Sequence, residues 1–448
     1  MTGSAAPPPL DRPIGLLHAT AMVVGIIIGA SIFVQPSEIN RLVPSVPGVL
    51  VVWLMAGLLT LSGAMVCAEL SAAFPRTGGV YVFLTETLSP ACGFLWGWAM
   101  FWSVHSGIIA ATSVIFARYV QFFLPLDDRG IRLAALAGIL LLSAVNYVGV
   151  RQASMLQTLV TSAKLVALVL ILAMVFAFGT SAAPAASASA PPSASWREVV
   201  LAISAGLFAF GGWHMVAYAA GETRDPEKTI PRALLIGTLT VTACYLALNG
   251  AYLYLLPLDR VIASTRVAAD AAQALAGPRG AAAVSGLVIL SAFGVLNGVI
   301  LAGARIYLAM AEQGLAFRWM GAIHPRFHTP HLAILAQALW SSFLVATGTY
   351  RELFTRVIYT EWLFFALMTV GLVRLRRRTG YRPAFRAWGY PIVPLLFIVA
   401  SVVVASCQIA ADPWQAASGL FLVALGLPVY YFWVRREASQ RFTAHADH

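Results

Sequence analysis

Apolar runs of about twenty residues, separated by short polar segments, recur along the whole 448-residue chain. Runs beyond roughly 18 residues argue for membrane-spanning helices rather than buried core helices. Bounded by charges and by Pro/Gly punctuation, they predict twelve helices, at about 15–37, 48–73, 90–124, 131–149, 153–179, 198–220, 232–256, 281–311, 331–348, 352–373, 391–411 and 414–434. The predicted fold class is therefore an all-α integral membrane protein with twelve transmembrane helices. An even number puts both chain ends on one side.

Two of these runs carry residues that weaken a helix at its centre. The first contains "VGIIIGASIF" (24–33), with Gly25, Gly29 and Ser31 close together, and the sixth contains "LFAFGGWHMV" (207–216), with Gly211 and Gly212. Glycine costs a helix interior about 1 kcal/mol relative to alanine, and backbone groups freed inside a bilayer must find partners within the protein. Two interrupted helices at matching positions of two five-helix halves point to an inverted repeat with a binding site between them. Glycines that merely permit close helix packing are the other reading. The chain divides accordingly into an N-terminal tail (1–13), a first repeat (14–179), a low-complexity loop (180–197), a second repeat (198–373), a basic loop with two added helices (374–434) and a C-terminal tail (435–448).

Broken ends have a chemistry of their own. The outer half of the first helix would begin at Ala30–Ser31 and present free N–H groups, while the inner half would end at Ile27–Ile28 and present carbonyls. The sixth helix runs the opposite way, so carbonyls near Phe208 become free before Gly211 and Gly212. Amides suit a carboxylate and carbonyls suit an ammonium, and an α-amino acid carries both groups on one carbon.

Composition and charge agree with a membrane setting. The chain is 60% hydrophobic and 10% charged, with mean hydropathy +0.81, against about 25% charged residues in soluble domains. The N-terminus lacks the basic region and cleavage site of a signal peptide, so the first run is expected to be retained. The net charge of +11 is concentrated in "RLRRRTGYRPAFR" (374–386), between two apolar runs. That reads as a cytoplasmic anchor rather than a nucleic-acid surface, and the positive-inside rule then makes both termini cytoplasmic. The uncharged "TSAAPAASASAPPSAS" (180–195) falls outside. Cys67, Cys92, Cys244 and Cys407 lack metal-ligand spacing and read as packing residues.

Ionisable residues inside apolar runs are few, and each is a candidate. Lys164 lies about twelve residues into the fifth helix, roughly 18 Å at 1.5 Å per residue, near the middle of a core roughly 30 Å thick. A lysine there costs about 2.5–3.5 kcal/mol to insert and marks a pathway. Glu361, beside Trp362 in the tenth helix, is a candidate proton carrier or selectivity residue. Glu69 is expected to pair with a loop cation, with a gating role as the alternative. His105 and His214 are each isolated and read as hydrogen-bonded core residues, with a proton or selectivity role, for His214 as for Glu361, the alternative. "HPRFHTPH", with His324, His328 and His331, lacks partner carboxylates, so no metal is expected. "GFLWGWAMFW" (93–102) reads as an interfacial aromatic belt and as packing of the third helix. The loop "GETRDPEKTIPRA" (221–233) reads as solvated and structural, with an inner gate through Glu222, Arg224 or Arg232 as the alternative.

"VGIIIGASIFVQP", "CAELSAAFPRTGGVYVFL", "GLFAFGGWHMVAYAAGETRDPEKTIPRAL" and "SAFGVLNGVILAGARIYLAMAEQGLAFRWMGAIHPRFHTPHLAI" together resemble the amino acid–polyamine–organocation family, in its L-type amino acid transporter branch, over about residues 11–390. The resemblance implies a LeuT-type fold with a 5+5 inverted repeat and alternating access. By motif, Ile27, Ile28, Gly29, Ala30, Ser31, Phe208, Gly211 and Gly212 would bind substrate. The amides of Ala30 and Ser31 would take the carboxylate and the carbonyls of Ile27 and Phe208 the ammonium, with Phe208 as a gate. Lys164 would stand in for sodium, contacting the Gly25–Gly29 turn and Ser291. Relatives usually read Gly-Ser-Gly where this chain has Gly29-Ala30-Ser31, and often asparagine at His214, so the side-chain pocket is expected to differ. The implied function is sodium-independent transport of neutral L-amino acids, by exchange or proton symport. Transport of basic amino acids or polyamines is the alternative, and a non-transporting amino acid sensor the second. No enzyme activity or cofactor is expected, and the chain demands no single-span partner subunit. The expected location is a bacterial inner (plasma) membrane.

Overall fold

Among the described residues, every regular element in the computed structural model is helical. The structure describes residues 12–29, 31–179, 194–264, 266–347 and 350–433, by backbone alone at 350–358 and 415. Ala30, the N-terminal tail to residue 11, the loop at 180–193 and the C-terminal tail therefore lie outside the described residues.

The first predicted span is two helices, α1 (Leu16–Ile27) and α2 (Gln35–Leu42), joined through a 3-10 turn at Ser31–Phe33. The next is α3 (Val46–Ala73), capped by Ser45, whose hydroxyl accepts the Gly48 N–H at 3.2 Å. A short α4 (Val80–Thr87) precedes α5 (Pro90–Ala99) and α6 (His105–Val120), which run together through a π-helical turn at Met100–Val104. That turn frees the Phe101 carbonyl to accept the Ser106 hydroxyl at 2.7 Å. α7 (Asp128–Val148) and α8 (Val150–Phe178) meet at Gly149. α9 (Trp196–Ala209) starts at a Ser195–Glu198 capping box and gives way to a 3-10 stretch, Trp213–Glu222. The remainder is α10 (Pro226–Leu255), α11 (Leu258–Ala263), α12 (Val267–Glu312), α13 (His331–Thr347), α14 (Tyr350–Arg376), α15 (Ile392–Ala411) and α16 (Pro413–Ala424).

Among the described residues, nine helices are long and apolar enough to cross a membrane, and α1 and α13 are shorter apolar helices. They differ in depth within the bundle. The apolar window of α12 is 83% buried and that of α8 only 28%, so α12 forms the centre and α8 turns most of its apolar face outward. Leu159 and Phe178 on α8 are correspondingly exposed. α3 packs along α10, α6 along α12, and α1 against α8, α10, α12 and the 3-10 stretch after α9.

Three local readings change. α12 begins at Val267, well before the predicted 281, with a kink at Ala276 and Gly277 ahead of Pro278. Its first turns, "VAADAAQALA", are alanine-rich, which favours helix but falls short of a strongly apolar run. The basic cluster at 374–386 is also not wholly surface, since Arg376 forks onto Glu69, whose second oxygen accepts the Ala387 N–H at 2.7 Å. Finally, Glu222 is not solvated. It is buried and holds the fully buried Arg305 through two bonds of 3.0 Å. The same region is stitched to the chain before α1, where Ile14 N–H donates to the Glu222 carbonyl (3.1 Å) and Arg224 N–H to the Ile14 carbonyl (2.9 Å).

Candidate functional site

Both glycine-marked helices are broken where the residues change character. α1 stops at Ile27. Ile28 leaves helical geometry with ψ near 82°, and the Gly29 N–H turns back to the Ile27 carbonyl at 2.7 Å. α9 stops at Ala209, and Gly212 adopts φ +92° before the 3-10 stretch. A side chain at Gly212 would be strained by that φ, and its Cβ would lie 2.4 Å from Ile26 of α1. Glycine is thus required twice over, and the missing Cβ lets the two breaks approach.

The freed carbonyls of α1 are held from behind. Lys164 Nζ, on α8, donates to the Gly25 carbonyl at 2.8 Å and the Ile28 carbonyl at 2.6 Å. Ser291 Oγ, on α12, donates to the same Ile28 carbonyl at 2.9 Å. Gly25 allows this close contact: a Cβ there would sit 2.2 Å from Gln157 Nε2 and Thr161 Oγ1 on α8. Thr161 also reaches the Ala21 carbonyl at 3.2 Å. The ammonium therefore replaces helix hydrogen bonds that the break removes.

On the other side of the break stands Tyr245 of α10, fully buried. Its hydroxyl lies 2.8 Å from the Ile27 carbonyl and 2.9 Å from the Ala209 carbonyl. It thus links the last residues of α1 and α9. A hydroxyl has a single proton, so it donates to one of these two carbonyls at a time. The sequence reading missed Tyr245, because a tyrosine in an apolar run gives no signal of this role.

Between the breaks lies a cavity of about 60 Å³. Ile27, Gly29 and Ser31 form one wall and Phe208, Gly211 and Gly212 face them. Ile108, Thr112, Val295 and the α14 residues Glu361, Trp362 and Phe365 help to close it. Eight residues were expected around substrate. Six line this cavity, Ala30 is outside the described residues, and Ile28 is absent from the wall because its carbonyl is directed to Lys164 and Ser291. Lys164, Gly25 and Ser291 also lie behind the wall. The Ile27 carbonyl already receives the Gly29 N–H and the Tyr245 hydroxyl, and the Phe208 carbonyl receives the Gly211 N–H at 2.9 Å.

Glu361 and His214 prove to be neighbours, with Oε1 3.9 Å from Nε2. Glu361 is on the cavity wall and His214 behind it, boxed by the rings of Trp96, Trp213, Tyr218 and Phe365. Trp96 is fully buried there, in keeping with the packing role read for its aromatic stretch. His105 is separate, with Nε2 2.7 Å from the Val299 carbonyl. His324 belongs to a turn, where its Nδ1 accepts the N–H groups of Arg326 and Phe327 at 3.1 and 3.2 Å. Among the described residues, no group of three His, Cys, Asp or Glu side chains could hold a metal ion.

Comparison with known proteins gives a consistent result. A family model described as "Amino acid permease" matches residues 14–427. The serine/threonine exchanger SteT of Bacillus subtilis is 31% identical over 96% of this chain and 98% of its own. The large neutral amino acids transporter small subunit 2 of Mus musculus is 31% identical over 95% of this chain and 81% of its own. The human cystine/glutamate transporter is 28% identical over 97% and 87%.

Proposed function

The chain belongs to the amino acid permease family, and we propose that it carries small neutral L-amino acids across the membrane by alternating access, without sodium, as an exchanger or proton symporter. One observation carries this reading: the broken ends of α1 and α9 face each other across a single small cavity. Among the relatives, the serine/threonine exchanger and the neutral amino acid transporter support the substrate class.

In this proposal the Ser31 amide, with that of Ala30, takes the substrate carboxylate. The ammonium goes to the carbonyls of Phe208 and Ile27, sharing or displacing the Tyr245 hydroxyl at Ile27. Phe208 serves as the gate. Lys164 occupies the role a sodium ion would play, holding the Gly25 and Ile28 carbonyls in the broken form, with Ser291 beside it. The whole would be a LeuT-type fold of twelve spans, with repeats at 14–179 and 198–373 separated by the 180–197 loop. The basic loop and two further helices would occupy 374–434, with cytoplasmic tails at 1–13 and 435–448. Packing of α3 on α10 and of α6 on α12 supports such a pairing of halves. A bacterial inner membrane is the proposed location, with no single-span partner needed for transport.

Glu361 on the cavity wall favours a second reading, transport of basic amino acids or polyamines. Counterflow of labelled amino acids in proteoliposomes, with sodium and proton gradients varied independently, decides between them. Sodium-independent exchange of alanine and serine, unaffected by excess arginine, is the expected result. Strict sodium dependence would overturn the role given to Lys164, and binding without exchange would identify a sensor.

A further inference from the structure

Glu361 and His214 are unlike the other ionisable groups in the bundle. Lys164, Arg305, Glu222 and Glu69 are each held by hydrogen bonds to the protein. Glu361 is 5% exposed and His214 fully buried, yet Glu361 Oε1 and both ring nitrogens of His214 have no hydrogen-bond partner among the described residues. Their 3.9 Å separation is too long for a direct bond. Buried polar groups are almost always paired, because an orphan keeps its full desolvation cost. Here the carboxyl stands on the cavity wall, among Ile108, Trp362, Phe365 and other apolar side chains. Behind the wall it is faced by the His214 imidazole, which packs in turn against the rings of Tyr218 and Trp96, and no Lys or Arg lies within ion-pair distance among the described residues.

Building on the transport reading above, we infer that Glu361, positioned by His214, recognises a hydroxyl on the substrate side chain, so that the protein prefers serine-like and threonine-like amino acids to alanine. The chemistry of the wall selects the hydroxyl. A hydroxyl both donates and accepts. It completes Glu361 as a carboxylate by donating and as a carboxylic acid by accepting. An ammonium suits only the ionised form, and a methyl group suits neither. His214 lies behind the wall and does not touch the substrate. Its aromatic box fixes the imidazole, which packs behind the carboxyl and limits how far Glu361 can turn away from the cavity.

The test is the ratio of kcat/KM for L-serine to that for L-alanine, measured by exchange in proteoliposomes, with L-2,4-diaminobutyrate as a cationic probe of similar length. The wild type should favour serine about tenfold or more, as expected for one hydrogen bond to a carboxyl group. Glu361→Leu should bring the ratio near one, whereas Glu361→Gln, whose amide oxygen still accepts, should keep part of it. His214→Phe, which preserves the aromatic packing, should lower the ratio chiefly through the KM for serine. Equal kcat/KM for alanine and serine, or a Leu variant that keeps the preference, would each overturn the inference while leaving the transport reading standing, whereas diaminobutyrate as the best substrate would overturn both the inference and the neutral substrate class. Carriage of none of these amino acids would refute the transport reading itself.

Discussion

Lys164 and Glu361 are both ionisable side chains buried inside apolar helices, on opposite sides of the broken helix α1, and they are treated oppositely. Lys164 gives two short hydrogen bonds to carbonyls of the break, one of them shared with Ser291. Glu361 lines the cavity with one oxygen unpartnered. Burying a charge is costly unless its hydrogen bonds are met within the protein. Lys164 meets that condition and is committed to the scaffold. Glu361 does not, and is available to something that enters the cavity. Partnering, more than charge or depth, separates a residue that builds a site from one that reads its ligand.

The largest effect expected from this contrast is at Lys164. Lys164→Leu leaves the Gly25 carbonyl without its donor and removes the cation at Ile28. Ser291 still donates to the Ile28 carbonyl, so one buried group is left unpaired and the loss should be about 1–3 kcal/mol. Thermal unfolding in detergent should show it, and counterflow should disappear. A variant that exchanges amino acids at the wild-type rate would show that the break needs no cation.

Next in size is Gly212→Ala. A non-glycine residue at φ +92° is strained by about 1–3 kcal/mol, and its Cβ would push on Ile26 of α1. Because both breaks wall the cavity, KM should rise along with the loss of stability. An unchanged KM would separate the geometry of the breaks from substrate binding.

A smaller effect is expected from Tyr245→Phe. It removes the hydroxyl between the Ile27 and Ala209 carbonyls, while the edge-on packing against Trp53 and Phe210 remains. One net hydrogen bond contributes about 0.5–1.5 kcal/mol. If the hydroxyl competes with the substrate ammonium, KM should fall; if it only aligns the two ends, KM should rise. Kinetics over a substrate series distinguish the two, and no change in either KM or stability would remove Tyr245 from the site.

The parts of this arrangement that could be read from sequence are those where a residue conflicts with its surroundings. Glycines in the middle of apolar runs marked both breaks, and a lysine about twelve residues from any charge marked the scaffold cation. Residues that agree with their surroundings stayed hidden. Tyr245 looks like ordinary apolar packing. Arg305 lies close enough to the predicted end of its helix to be counted with the cytoplasmic charges, and Glu222 sits in a charged stretch that reads as solvated. Their pairing depends on α12 and the chain after α9 meeting in space, across 83 residues. Asn146, Gln157 and Asn297 are hidden in the same way. They bond across α7, α8 and α12 at 3.0–3.1 Å, and each alone is an unremarkable polar residue. Glu361 and His214 were each visible as oddities, but only the fold brings them to 3.9 Å.

The smallest stability effect, and the sharpest test of the contrast, is Glu361→Gln. Lys164 holds native hydrogen bonds, so its removal must destabilise the folded protein. Glu361 Oε1 has no such bond to lose, and a neutral amide of nearly the same shape lowers the desolvation cost of a buried carboxyl. The variant should unfold within about 0.5 kcal/mol of the wild type, or be slightly more stable, as surface-like substitutions outside any network are. Its substrate preference should shift all the same. A residue that changes selectivity without changing stability is one the fold does not need for itself. Should Glu361→Gln instead cost as much as Lys164→Leu, Glu361 would belong to the scaffold, and a bonded partner in the resting protein would have to account for it.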